Sequence, residues 1–135
     1  MAKQIFVNLP VKQLDKTKEF FSKLGFSFNP KFTNNDGACM IIGENIFAML
    51  LVEEFFKSFT TKQIADTLKT TEVLLAIDAE SREKVDKMIE NAIAAGGKEH
   101  REKQDEGWMY SRGFEDVDGH IWEVLYMDEK AMPQQ

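Results

Sequence analysis

The feature that most restricts the fold is a duplication, because the chain carries one order of elements twice: a strand, a helix and three further strands. In the first copy, residues 4–10 form a short β-branched and aromatic run, and residues 14–24 follow with apolar side chains at helical spacing. Gly25 ends that helix. Strand-like runs at 26–32, 38–42 and 45–52 are separated by turn signals at Asn34-Asn35-Asp36-Gly37 and Gly43-Glu44-Asn45. In the second copy, residues 72–77 read as a strand and 81–95 as an amphipathic helix closed by Gly96-Gly97. The runs 98–101, 108–114 and 120–127 supply three more strands. Superposed, Phe6-Val7-Asn8-Leu9-Pro10-Val11 lies over Glu72-Val73-Leu74-Leu75-Ala76-Ile77, and Ile46 to Leu51 lies over Ile121 to Tyr126. The expected fold is α+β, one domain over residues 1–135 with module one at about 4–52, module two at about 72–127 and a frayed tail at 128–135.

Residues 53–71 fit neither copy and read as an insertion. Thr60-Thr61-Lys62-Gln63 has the spacing that opens a short helix. Phe55, Phe56 and Phe59 need burial in the core, under a ligand as a lid, or against a second subunit.

Charge narrows the partners. Twenty-three acidic residues against 17 basic ones give a net charge of −6 without an acidic tail, which argues against nucleic acid. No run reaches 18 apolar residues, and Met1-Ala2-Lys3-Gln4 leads into a strand without a signal-peptide core, so the expectation is a cytoplasmic protein that meets no membrane. The single cysteine, Cys39, suits a reducing compartment and reads as a small buried hydrophobe.

The last strand carries His120, Trp122, Val124 and Tyr126 on one face and Ile121, Glu123 and Leu125 on the other. Both faces are largely apolar, so both are expected to be covered, one of them by the helices. Glu123 among apolar neighbours needs a cation, a donor or water. Two readings stay open: an ion pair or rim water on one hand, a metal ligand or general base on the other. Trp108, Tyr110, Arg112 and Phe114 share a face of the preceding strand, mostly as core. Arg112 there has the chemistry to pair Glu123 or to bind an anion. His120 belongs to the turn Asp118-Gly119-His120 and projects with Trp122, away from Glu123, so it reads as a structural or solvated residue rather than a ligand. His100, beside Arg101 and Lys103, is expected to be exposed. No phosphate loop, local Ser-His-Asp set or C-x-x-C motif appears.

The two βαβββ modules, the opening pattern from Val11 to Phe26 and the ending Asp116-Val117-Asp118-Gly119-His120-Ile121-Trp122-Glu123 resemble the vicinal oxygen chelate superfamily, which includes glyoxalase I, extradiol dioxygenases, fosfomycin-resistance enzymes and bleomycin-resistance proteins. The resemblance implies an open, eight-stranded barrel-like sheet. It also implies a divalent metal, when present, held from the first and last strands of both modules. Carried over position by position, Glu72 and Glu123 match as oxygen ligands and as catalytic carboxylates. Their counterparts in the first module are Phe6 and Ala48, or Met49 after a one-residue slip, none of which suits a divalent ion. Asn8 shares the face of Phe6 and carries a carbonyl oxygen. The cofactor therefore stays open, with the usual metal set incomplete. Gln13 stands where an aspartate is frequent and leaves the first helix cap in doubt.

By the same resemblance a small molecule is expected against Phe6, Asn8, Ala48, Leu50, Trp108, Tyr110 and Arg112, around Glu72 and Glu123. The first expectation is a glyoxalase- or dioxygenase-related enzyme, lyase or isomerase, acting on a small oxygenated metabolite. The alternative is a metal-free binding protein of the bleomycin-resistance type, for which the net charge of −6 suits a cationic guest. A homodimer is implied in either case.

Overall fold

The computed structural model describes residues 1–133, and the chain divides into two compact units between Asp66 and Thr67, inside the stretch read as an insertion. Each unit is one βαβββ module. The eight strands make two open four-stranded sheets.

In the first unit, β1 (Ile5–Val11) pairs in parallel with β4 (Ile46–Val52), and β4 continues through β3 (Gly37–Gly43) to the short β2 (Ser27–Phe28). Helix α1 (Leu14–Lys23) buries Leu14, Thr17, Phe20 and Phe21 at the helical spacing that predicted it. Gln13 makes no side-chain cap; its carbonyl accepts from the Thr17 hydroxyl instead, at 3.2 Å. The strand expected over 26–32 is cut short because Pro30 has no N–H for a ladder. Pro30–Phe32 becomes a 3₁₀ turn, capped where the Asn29 side chain accepts from the Lys31 amide. Helix α2 (Glu53–Phe56) and a 3₁₀ turn at Lys57–Phe59 follow β4 directly. The helix expected to open at Thr60 is absent, since the Thr60 hydroxyl accepts from the Lys62 amide two residues on and closes a turn. Phe55 and Phe59 meet edge to face at 5.2 Å and stay 38% and 69% exposed, so neither belongs to the core.

In the second unit, β5 (Leu74–Asp78) runs parallel to β8 (Ile121–Met127), which continues through β7 (Met109–Glu115) to β6 (Lys98–Asp105). Ser81 caps α3 (Arg82–Ala94) by accepting from the Lys84 amide at 3.1 Å. Val85, Ile89 and Ala92 of α3 are completely buried, as are Phe114 and Val124. Phe114 and Trp122 stack with ring centres 6.3 Å apart. The superposition of the two copies is three residues off in one strand: it would put Trp122 opposite Glu72, whereas Trp122 pairs with Leu75. Of the tail, Glu129–Ala131 forms a 3₁₀ turn capped by Asp128, and Gln134 and Gln135 lie outside the described residues.

Candidate functional site

Cross-strand partners share a face, so the register of the second sheet sorts its side chains. Trp122, Val124 and Tyr126 of β8 pair with Phe114, Arg112 and Tyr110 of β7 on the face packed against α3. Glu123 pairs with Gly113 and Ala76 on the opposite face, and Gly113 in turn pairs with Arg101 of β6. One row thus runs Arg101, Gly113, Glu123, Ala76 across four strands. The β6–β7 ladder shifts register between Glu99 and Arg101. With His100 as the extra residue of this bulge, Arg101 rather than His100 stands opposite Gly113.

Across that row Arg101 Nε donates to Glu123 Oε1 at 3.2 Å and Nη2 donates to Oε2 at 2.7 Å, a bidentate pair. Nη2 also donates to Ser111 Oγ at 3.2 Å, and Nη1 donates to the Glu102 carbonyl at 2.9 Å. The pair is largely covered, with side chains 28% and 13% exposed. Gly113 makes room for it: a Cβ there would stand 3.0 Å from Glu123 Oε2. The demand of Glu123 for a cation is met by Arg101.

Arg112, the partner that alternation suggested, is turned the other way. Its Nη1 donates to Asp86 of α3 at 2.8 Å and its Nε donates to Glu99 at 2.9 Å, while the Tyr110 hydroxyl donates to Asp86 at 2.6 Å. The Tyr110 hydrogen bond leads the causes that hold Asp86 below its ordinary range. Burial leads those that push the Tyr110 phenol up, ahead of its bond to Asp86. The Arg82 guanidinium lies 4.9 Å from the Tyr110 ring centre and donates two 2.8 Å bonds to Asp105. Tyr110 and Arg112 also line an open groove of about 730 Å³ with Glu90, Glu99, His100 and Lys103 among its walls. His100 is half-buried there rather than exposed. Trp108 precedes β7 in the turn, where its carbonyl accepts from the Asp128 amide.

The Asp-x-Asp-Gly-His turn is structural. Asp116, 5% exposed, accepts from the Asp118 and His120 amides through Oδ1 and from Trp122 Nε1 through Oδ2. Burial pushes its carboxyl up, against the His120 charge and these donors. This carboxylate pins the Trp122 ring against Phe114, and the motif that carries the family likeness also builds the start of β8. His120 is buried within the same turn.

In the first unit Phe6 and Asn8 pair with Phe47 and Met49, whereas Ala48 and Leu50 pair with Val7 and Leu9. The four expected lining residues therefore split between two faces. Ala48 and Leu50 are completely buried, while Phe6 is 49% exposed and stacks on Phe47 at 5.0 Å. Glu72 is exposed and lies before β5, four residues from Ala76, the partner of Glu123. The structure does not bring Glu72 to Glu123.

The family model of the glyoxalase/bleomycin resistance protein/dioxygenase superfamily matches residues 3–124. The chain belongs to this superfamily. Its fold is shared by a hypothetical protein, SA1046, from S. aureus, with 25% identity, coverage of 93% of this chain and 95% of that one, and a TM-score of 0.79. A superfamily enzyme from Burkholderia phytofirmans PsJN is 16% identical over 93% and 99% of the two chains, with a TM-score of 0.76. The fosfomycin resistance protein FosX of Listeria monocytogenes is 19% identical over 96% and 97%, with a TM-score of 0.68. No curated protein matches. The divalent-ion set that superfamily resemblance implies does not fit these residues: Glu123 is spent on Arg101, Glu72 stands outside its strand, Phe6 offers a ring and Ala48 a buried methyl. Among the described residues no group of three or more His, Cys, Asp or Glu is placed to hold a metal.

Proposed function

We propose that this superfamily member binds a small molecule on the Glu123 face of its second sheet, without a metal ion and without converting the guest. The observation that carries the reading is the bidentate Arg101–Glu123 pair. A carboxylate clamped by a guanidinium is a poor metal ligand and a poor general base, since both roles need its lone pairs free. An acid–base mechanism shared by Glu72 and Glu123 needs the two carboxylates at one substrate, and Glu72 lies outside β5. What remains is a polar pair beside half-buried Leu125 and exposed Ala76, a mixture of polar and apolar groups that suits a binding surface.

Purified protein incubated with manganese, iron, nickel or zinc is expected to retain no stoichiometric metal by elemental mass spectrometry, and a bound compound is expected to be recovered unchanged. About one equivalent of metal that is lost in Glu123→Gln, or turnover abolished by that change, overturns the reading.

We further infer a homodimer in the cytoplasm. The exposed Phe55–Phe59 pair supports the dimer, and the buried free thiol of Cys39, pushed up by burial, suits a reducing compartment. Light scattering is expected to give twice the 15.5 kDa chain mass, falling to a single chain in Phe55→Ser/Phe59→Ser. A monomer in the unaltered protein overturns the dimer.

A further inference from the structure

We draw no further inference here: the strongest candidate, the open groove of about 730 Å³ walled by α3, β6 and β7, mixes acids with bases, has its Asp86, Glu99 and Arg112 already engaged with one another, and nothing in the structure shows what would fill it.

Discussion

Between Ile121 and Leu125, Glu123 accepts two bonds from Arg101, at 3.2 and 2.7 Å, and the energetics of such a pair are asymmetric. Removing one partner leaves a charge in a half-covered place, whereas removing both leaves apolar surface. Glu123→Gln and Arg101→Met are each expected to lower the unfolding free energy by about 1–3 kcal/mol, read by urea titration. The double change Arg101→Met/Glu123→Leu is expected to recover most of that loss, because neither charge is then stranded. Costs that simply add would show that the pair is not coupled. Gly113→Ala tests the same contact from below: its methyl would stand 3.0 Å from Oε2 and push the carboxylate off Arg101, at a cost of about 1–2 kcal/mol. Glu123 itself was legible in the sequence, since a lone carboxylate on an apolar face demands a partner. The identity of the partner was not. Alternation counted along β7 pointed to Arg112, which faces α3, and alternation counted from Glu99 along β6 turns Arg101 the same way. The bulge that reverses this adds a single residue, and nothing in Lys-Glu-His-Arg announces it.

The elements divide in the same manner. Both long helices and the order of strands follow from periodicity and the closing glycines. What failed was local: Pro30 shortened β2, Thr60 closed a turn instead of opening a helix, and β5 began after Glu72. The first two errors came from a missing N–H and from side-chain to backbone bonding, which outweigh apolar patterning over a few residues. Between elements, α3 is tied to β7 by Asp86, which accepts from both Tyr110 and Arg112. Because folding depresses the Asp86 pKa, the tie contributes stability above the ordinary aspartate value of 3.8 and loses it as pH falls through the lower folded value. Asp86→Asn is therefore expected to be less stable than the unaltered protein between pH 5 and 8, with the gap closing below about pH 3.8. Urea midpoints across that range measure it. A gap that persists unchanged at pH 2 would place the role of Asp86 in packing rather than charge.

For the whole molecule, 23 acidic against 17 basic residues set a net charge of −6, and on composition alone that favours a cationic guest. The sheet face argues differently, because contact selectivity is set by the charges within a few ångströms, and there Arg101 and Glu123 sum to zero. The two scales separate by salt. The long-range field decays over about 10 Å at 0.1 M salt and about 3 Å at 1 M, while contacts with a neutral guest are indifferent to ionic strength. Affinity for the neutral probe benzamide is accordingly expected to stay within about twofold between roughly 0.05 and 0.5 M sodium chloride, whereas any binding of the cation benzylammonium weakens over the same range. Benzylammonium binding that exceeds benzamide binding at low salt and disappears at high salt would mean that the guest is held by the field of the acidic surface and not by contacts on the Glu123 face. The superfamily fold was legible from the duplication and the Asp116 turn; the chemistry of the face was not, because it depends on one cation that composition counts among 17 and only the register of β6 against β7 singles out.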